Sequence, residues 1–451
     1  PDRAKRVPAA ERLDYVNQHL LPFYATIRVT DMIELRRWVM MSKMILLLDG
    51  SPVGLVLDAE ATPMRSISEP IQESTVAGPR DAFVESMRVN TALIRARLGD
   101  YRLKSEIFII GRRSNTMVTL MYIEDIARPD VIEEVRTRMK RIDTDILLDA
   151  NAIKEYIQDQ KYTLFPLMKQ TERPDKVTSD LTEGRFAIIV DGSPLVLTAP
   201  SVFAEFLQAA EDYYLNPVLA SGLRLLRYLG LFIACTLPGL YVAITTFHQE
   251  MIPIPLVFSV AGTRESVPFP AFVEALIILI IFELLIEAGV RLPQVVGGAV
   301  NIVGALILGQ AAVQAGIVSP ILIIVIAATA ISNFAVAATY QLAVIVRPIR
   351  FIFLLGGTVL GLYGLALVLL FFLIHLVSLR SFGVPYMAPF APLIPAELKD
   401  AVIRSPHWES ISRPSLIAGA DRIREATPPP QRPEPKPPTD NKDQGRVGDE
   451  P

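Results

Sequence analysis

Acidic and amide side chains interrupt two long apolar runs between residues 270 and 320. The first run contains Glu274, Glu283 and Glu287, and the second contains Asn301, Gln310 and Gln314. Each run is long enough to cross a bilayer, because a spanning helix needs about 20 apolar residues. An ionisable group at membrane depth is costly unless it faces a bundle interior or water. We therefore predict a membrane protein whose function depends on these embedded polar groups.

The acids of the first run differ in their helical neighbours. Glu283 and Glu287 share a helix face, whereas Glu274 points the opposite way. Glu287 can pair with Arg291, four residues later, and this pair would explain its presence structurally. Glu283 lies near mid-span without a partner in its own helix. Both a protonated carboxyl packed between helices and a cation-attracting site fit this position.

The amides of the second run accompany small residues. Gln310 and Gln314 lie roughly opposite Asn301, whose side of the helix is rich in Gly and Ala. Small residues permit close helix packing, which is the structural explanation of this pattern. An oligomeric pore is the functional one, because one face would meet a neighbouring subunit and the other would meet water. The candidates for a pore or gate are Glu283, Glu287, Asn301, Gln310 and Gln314.

Composition excludes several other classes of function. The formal net charge of −3 lacks the basic excess of a nucleic-acid-binding protein. The chain has one cysteine, Cys235, and four scattered histidines, so no metal-ligand set is visible. No catalytic arrangement is apparent either. We expect neither a cofactor nor an enzymatic activity.

Strand and helix patterns alternate in the charged N-terminal half. Apolar pairs flank Asp49-Gly50 and Asp191-Gly192, and such dipeptides favour β-hairpins. A third strand pair is predicted at 106–125, and helices at 78–100 and 129–143. The repeated hairpin suits two related α/β lobes better than a pair of ligand loops.

A dense polar cluster follows at residues 165–185. Its charged members include Glu172, Arg173 and Asp175. A metabolite site and a set of structural salt bridges and caps both fit these residues, and no Gly-rich phosphate loop supports the first. We assign structural or assembly roles to Asp49, Gly50, Glu172, Arg173, Asp175, Asp191, Gly192 and Arg291.

The apolar half predicts five spans, followed by a polar tail. The spans lie at 228–247 and at about 271–290, 294–316, 320–345 and 351–377. Arg291, Arg347 and Arg350 flank them, and the positive-inside rule places these residues and the N-terminal region in the cytosol. Five spans would leave Arg380 on the other side, which conflicts with that rule. The residues after 427 are Pro-rich and predicted to be disordered.

The fold class is a two-lobed α/β N-terminal region joined to a polytopic α-helical membrane domain. Its predicted units are a first lobe at 1–150, a second lobe at 151–222, a transmembrane domain at 223–380, a juxtamembrane segment at 381–426 and a tail at 427–451.

Motifs along most of the chain resemble the GerA family of spore germination proteins, specifically the A subunit of a nutrient germinant receptor. They are GPRDAFVES (78–86), TERPDKV (171–177), EGRFAIIVDGSP (183–194), EDYY (211–214), FHQEMIP (247–253), EAGVRLP (287–293), IVGALILGQAAVQAGIVSP (302–320) and SFGVPYMAPFAPL (381–393). Two membrane positions depart from the family pattern, Ile286 and the proline-free ISNFAVAATY (331–340). Family members begin earlier, so we expect an incomplete N-terminus.

The resemblance implies a multi-pass protein of the inner spore membrane with a cytosolic N-terminal domain. It implies a homo-oligomer that works with a membrane-embedded B subunit and a lipoprotein C subunit, and that releases monovalent cations when nutrient binds. Two alternatives remain open. One is an accessory family member encoded with the dipicolinate-release channel, and the other is a secondary transporter with a regulatory domain.

Overall fold

The computed structural model describes residues 26–40, 43–49, 51–57, 69–70, 73, 75, 77–291, 309–336 and 339–428. Its first unit is a small antiparallel sheet in the order β1-β3-β2. The elements are β1 (Thr26–Val29), α1 (Met32–Met40), β2 (Met44–Leu46) and β3 (Gly54–Leu57). Met44 pairs with Leu57, which confirms the strand pair predicted around Asp49.

A five-stranded antiparallel sheet forms the centre of the N-terminal region. Its strands are β4 (Leu103–Ile110), β5 (Thr116–Ile123), β6 (Lys169–Thr171), β7 (Phe186–Val190) and β8 (Val196–Ala199), in the order β4-β5-β7-β8-β6. The predicted hairpins at 106–125 and 184–200 are confirmed as β4-β5 and β7-β8. Because β5 pairs with β7, one sheet crosses the lobe boundary that the sequence placed at residue 150.

Helices cover both faces of this sheet. They are α2 (Met87–Arg97), α3 (Pro129–Lys140), α4 (Ala150–Ile157) and α5 (Pro174–Thr182). Leu120 and Ile188 belong to the core beneath α3 and α4, whereas Met121 and Ile189 belong to the core beneath α2 and α5. Successive residues of a strand point to opposite faces, so covering both faces explains why β7 is apolar throughout.

Helix α2 begins later than its sequence predicted. The motif at 78–86 predicts a helix from Pro79, but the helix starts at Met87. The Asp191 carboxylate accepts a hydrogen bond from the Met87 backbone nitrogen at 3.0 Å, and Asn90 bonds to both backbone groups of Val84. These side-chain bonds take the place of a preceding helical turn.

The second half of the chain is a helical bundle. Its described helices are α6 (Pro217–Phe247), α7 (Ile254–Arg264), α8 (Ala271–Arg291), a helical stretch at 309–314, α9 (Pro320–Val336) and α10 (Tyr340–Ser378). Two of the described helices, α6 and α10, have the length and apolar composition that crossing a membrane requires.

Helix α10 is a helical hairpin. Gly361 has φ +60° and ψ −138°, which is not a helical conformation. The rings of Phe353 and Phe372 stack with centroids 5.9 Å apart, although a straight helix would separate these positions by about 28 Å. The chain therefore reverses at Gly361, whereas the apolar runs predicted the break between 345 and 351. The prediction failed because Arg347 and Arg350 interrupt the apolar run without ending the helix.

The segment that follows α10 is hydrogen-bonded to the α/β domain. Residues after α10 form β9 (Arg380–Ser381), β10 (Val384–Pro385) and α11 (Pro395–Ala401) and return to the α/β domain. The Ser381 hydroxyl donates to the Leu167 carbonyl at 2.6 Å, and the Gly419 nitrogen donates to the Ile126 carbonyl at 2.7 Å. The number of spans and the side on which Arg380 lies stay predictions.

The α/β domain and the bundle share a hydrophobic core. Phe165 and Phe206 from the domain belong to the same buried cluster as Val346 and Phe372 from α10. Gln341 extends this junction, since its Oε1 accepts from the Gln170 backbone nitrogen at 3.1 Å. The junction is therefore a packed interface rather than a flexible linker.

Candidate functional site: charged side chains inside the helical bundle

The first polar site in the bundle surrounds Glu274 at the start of α8. This carboxylate is fully buried, and Arg264 of α7 lies 3.2 Å from its Oε1. Its Oε2 accepts from the Ser319 backbone nitrogen at 3.1 Å, and the Ser319 and Tyr241 hydroxyls are 3.2 Å apart. Charge pairing and hydrogen bonding together offset the cost of burying this carboxylate. Sequence analysis noted Glu274 but did not find its partner, because Arg264 lies on another helix.

Glu283, the main pore candidate, also has an arginine partner. The Arg347 guanidinium of α10 donates to Glu283 Oε1 at 3.0 Å. The Glu283 side chain is 30% exposed and the Arg347 side chain is 16% exposed, so the pair lies at the edge of the bundle. Sequence analysis found no partner within the same helix, and the structure supplies one from a different helix.

Arg350 is buried inside the bundle. Its side chain is buried, and its Nε donates to the Ala234 carbonyl of α6 at 2.9 Å. Arg347 and Arg350 both contact neighbouring helices, and their predicted positions at the ends of spans stay predictions. Among the described residues, Arg350 Nη2 and Asn333 Oδ1 have no hydrogen-bond partner. Both residues are buried, at 2% and 4% exposure respectively.

The remaining pore candidates are not brought together with Glu283 by any described contact. Glu287, Gln310 and Gln314 are exposed on the single chain. Asn301 and the Arg291 side chain lie outside the described residues, so the predicted Glu287–Arg291 pair stays a prediction. Apolar side chains of α8, such as Leu284, are exposed as well. These faces need a covering environment that a single chain in water does not provide.

The two Asp-Gly turns have different surroundings. Asp191 caps α2, and the Gly192 nitrogen, at φ +89°, donates to the Glu85 carbonyl at 2.7 Å. Ser193 adds a bond to Asp149 at 3.0 Å. Asp49 is exposed in its turn, and Gly50 lies outside the described residues. The Asp191 turn thus connects β7 and β8 to the start of α2.

The polar cluster at 165–185 is a structural hub around Arg173. Its guanidinium is fully buried and lies 2.8 Å from Asp175, with further bonds to Thr75 and the Pro79 carbonyl. Asp175 also accepts from the Tyr214 hydroxyl at 2.7 Å, and the Glu172 carbonyl accepts from Phe83 at 2.7 Å. Every guanidinium nitrogen of Arg173 has a protein partner, so no donor remains for a ligand.

A second buried network lies beside this hub. Asp180 accepts from Lys169 Nζ at 2.6 Å and from the Thr198 hydroxyl at 2.7 Å, and Arg185 bonds to Glu205. Burial alone would raise the pKa of Asp180, but the charges of Lys169 and Arg185 outweigh it and keep that pKa below its ordinary value. Burial raises the pKa of Glu205, against the opposing charge of Arg185.

A third network joins the domain to α6, and sequence analysis missed it. Arg224 is fully buried and lies 3.0 Å from Asp212 and 3.1 Å from Asp400. Arg227 lies 2.7 Å from Asp212. The acidic EDYY segment and the arginines three residues apart were visible in the sequence, but Asp400 comes from far along the chain.

The described part of the bundle contains several charged side chains that pair between helices. Within the described residues, no group of three His, Cys, Asp or Glu side chains is placed to hold a metal ion. Two carboxylate–guanidinium pairs lie along α8, one with a fully buried carboxylate and one at the bundle edge. Such pairs suit charge compensation near an ion path or the locking of helices in one arrangement.

Comparison with known proteins gives consistent relatives. A family model described as Bacillus/Clostridium GerA spore germination protein matches residues 2–416. Spore germination protein KA of Bacillus subtilis (strain 168) is 47% identical over 397 residues, covering 88% of this chain and 72% of that protein. The uncharacterised membrane protein YfkQ of the same organism is 41% identical, covering 92% of this chain and 82% of that protein. The crystal structure of the N-terminal domain of the A subunit of the Bacillus megaterium spore germinant receptor GerK3 is 32% identical. It covers 45% of this chain and 72% of that one, with a TM-score of 0.34.

Proposed function

Because the chain belongs to the Bacillus/Clostridium GerA spore germination protein family, we propose that it is the A subunit of a spore nutrient germinant receptor. In this proposal it crosses the inner spore membrane several times, with the α/β domain in the cytosol. It assembles with other copies of itself, a membrane-embedded B subunit and a lipoprotein C subunit. The assembly releases monovalent cations when nutrient binds.

The observation that carries the channel proposal is the Glu283–Arg347 pair at the edge of an apolar bundle. A charged pair facing lipid would be costly, so a neighbouring subunit or water must cover it. Gln310 and Gln314 also require a neighbouring subunit or water. Both are exposed, and neither amide has a hydrogen bond within the described part of the chain. A ring of subunits satisfies all three by surrounding a hydrated passage.

The shared core between domain and bundle supports a regulatory role for the α/β domain. A shift of the domain would disturb α10, because the Phe165 ring lies 6.3 Å from that of Phe372 and Phe206 belongs to the same buried cluster. Cores are bistable rather than continuously deformable, so such a junction suits a two-state gate. The domain would then control the passage without catalysing a reaction.

The experiment is a potassium-release assay in spores and in liposomes. We expect liposomes containing the purified three-subunit complex to lose a potassium gradient when nutrient is added, with no coupled substrate. Spores carrying Glu283→Gln or Gln310→Leu should release potassium more slowly, while Asp143→Asn, on the surface of the α/β domain, should behave as wild type. Unchanged release in both bundle variants would reject these pore candidates.

The transporter alternative makes the opposite prediction in liposomes. A secondary transporter would dissipate the gradient only when a co-transported solute is present on one side. Potassium loss strictly dependent on such a solute would favour that alternative over a channel.

A further inference from the structure

An unusually exposed tyrosine lies in the loop that joins α4 to β6. We name this segment, residues 158–168, the α4–β6 loop. Tyr162 is 97% exposed, and Leu164, which follows it closely, is 49% exposed. Aromatic rings normally bury a large apolar area in a folded protein, and this ring buries almost none within the single chain. The loop therefore offers an aromatic side chain to a partner outside the chain.

The α4–β6 loop is held against the last turns of α10. Thr163 Oγ1 lies 3.2 Å from His375 Nε2. Phe165 is buried, and its ring lies 6.3 Å from that of Phe372. Because Tyr162 immediately precedes these two contacts, its backbone lies beside the end of α10 at which the chain leaves the bundle.

The neighbouring surface of α10 is apolar and exposed. Phe371, Ile374 and Val377 are between 53% and 63% exposed, and their spacing places them on one side of the helix. The second leg of the hairpin, residues 362–378, is about 25 Å long, which is close to the roughly 30 Å hydrocarbon core of a bilayer. In a bundle that crosses the membrane, the reversal at Gly361 therefore lies at one boundary of that core and the α4–β6 loop lies at the other.

The outward charge of the α4–β6 loop is positive. Lys161 is exposed and has no ion pair within the described residues, and Arg380 is exposed just after α10. Asp159 is the acidic residue of the loop, and it pairs with Arg138. Because this acid is compensated within the chain, the loop presents a cation that complements the anionic headgroups of a phospholipid surface.

We propose that the α4–β6 loop anchors the α/β domain to an anionic phospholipid surface, with the Tyr162 ring among the headgroups. Tyrosine suits this level because its ring is apolar and its hydroxyl is polar. Lys161 then faces the lipid phosphates. The anchor rests on the proposed function, since a membrane-crossing bundle is what brings the loop to the surface. It would fix the domain against the membrane in addition to the core that domain and bundle share.

The experiment measures the depth of position 162 by fluorescence quenching, with the purified full chain in liposomes. Tyr162→Trp is introduced into a chain without its two natural tryptophans, through Trp38→Phe and Trp408→Phe. Because Tyr162 is almost fully exposed, the exchange disturbs no packing. Phosphatidylcholine with bromine near the headgroup should quench at least about twofold more than phosphatidylcholine with bromine near the acyl-chain ends, since aromatic anchors lie at the headgroup level.

Two reference positions calibrate the depth in the same tryptophan-free background. Leu370→Trp, exposed near the middle of the second leg of α10, should show the opposite order of quenching. Ile107→Trp, exposed on β4, should be quenched by neither lipid. Strand β4 is the edge of the sheet opposite β6, whose Gln170 bonds to α10, so it lies away from the bundle.

Lys161→Glu tests the electrostatic part of the contact. In liposomes that contain phosphatidylglycerol, it should weaken the headgroup-level quenching of Tyr162→Trp by about twofold, because it replaces attraction to the anionic surface by repulsion. Lys140→Glu, at the exposed end of α3, makes the same change in net charge and should leave the quenching unchanged. Equal effects of the two variants would contradict a contact between Lys161 and the headgroups.

The anchor is overturned if Tyr162→Trp is quenched by neither lipid while Leu370→Trp is quenched. Quenching of Tyr162→Trp by aqueous iodide would then place the loop in water, and protection from iodide would place it against another copy of the chain. Absence of lipid quenching at both positions would reject the membrane-crossing bundle of the proposed function, and the anchor with it. The two failures are therefore distinguishable.

Discussion

Single residues of this protein are constrained mainly by buried charge. Asp180, Arg173 and Arg224 are all withdrawn from water and bonded on several sides. Removing one member of such a set leaves an uncompensated charge, which is more costly than losing an exposed ion pair. Substitutions in buried ion pairs should therefore cost more stability than substitutions in exposed ones.

Asp180→Asn is expected to lower the free energy of unfolding of the α/β domain by about 3–5 kcal/mol, because Lys169 loses its partner inside the core. Urea unfolding of the full chain in detergent, followed by circular dichroism, measures this loss. Asp143→Asn breaks an exposed pair with Arg112 and should cost less than about 1 kcal/mol. Equal losses in the two variants would contradict the prediction.

The same aspartate predicts a pH dependence. Burial would raise the pKa of Asp180, but Lys169 and Arg185 lower it below 3.8, so its folded pKa is below its unfolded one. Its stabilising contribution is therefore present above about pH 3.8 and is lost as the pH falls through the folded value. The wild type should lose stability faster than Asp180→Asn on acidification in that window. Parallel pH profiles would show that another group is responsible.

The Glu283–Arg347 pair allows a charge-reversal test. Glu283→Gln and Arg347→Gln should each destabilise the bundle by about 1.5–3 kcal/mol, since each breaks a charged hydrogen bond. The double variant Glu283→Arg with Arg347→Glu should recover most of the thermal stability in detergent. If it recovers stability and still releases potassium slowly, the charge at position 283 matters for conduction beyond packing.

Helices in the bundle approach each other at glycines. A Cβ on Gly239 of α6 would lie 2.5 Å from the Phe353 carbonyl oxygen of α10, whereas a Cβ on Gly222 of the same helix would meet nothing within 4 Å. Small residues at such crossings allow close backbone contact. Within α6, therefore, Gly239 allows close helix packing, whereas Gly222 is exposed.

Gly239→Ala should lower the unfolding temperature of the bundle, with a cost of about 1–3 kcal/mol from overpacking. Gly222→Ala is the matched control and should leave stability unchanged or raise it by up to about 1 kcal/mol, because Ala favours helix. Thermal unfolding in detergent measures both. A larger loss for Gly222→Ala would refute the described packing of α6 on α10.

At the scale of the whole molecule, the two ends of the bundle are distinct. The α/β domain and residues 386–424, which contact it, lie at one end. The opposite end contains Gly361 beside His248, where a Cβ on Gly361 would lie 2.8 Å from the imidazole. The chain therefore enters and leaves the bundle at the same end.

Cysteine labelling of intact vesicles tests this arrangement. In a Cys235→Ser background, Asp143→Cys and Thr427→Cys should react with a membrane-impermeant maleimide from the same side, and Glu250→Cys from the other. All three starting residues are exposed, so access is not limited by packing. Labelling of Thr427→Cys together with Glu250→Cys would restore the five-span arrangement.

Local patterns determined much of this protein in advance. Asp-Gly turns between apolar runs placed the hairpins at Asp49 and Asp191, because turn geometry depends on neighbouring residues. Apolar runs located the bundle, and the motifs at 78–86, 183–194 and 302–320 indicated the family. The density of charge around Arg173 and Asp175 also favoured salt bridges, and these two side chains pair at 2.8 Å.

Only the tertiary structure decided which distant residues meet. Glu283 pairs with Arg347 and Arg224 with Asp400 across separations that no periodicity encodes. The joining of β5 to β7 and the reversal at Gly361 likewise depend on packing between segments far apart in sequence. A hydropathy pattern shows where a charged residue interrupts an apolar run. The free-energy cost of burying that charge depends on its partner, and the partner is decided by the tertiary structure.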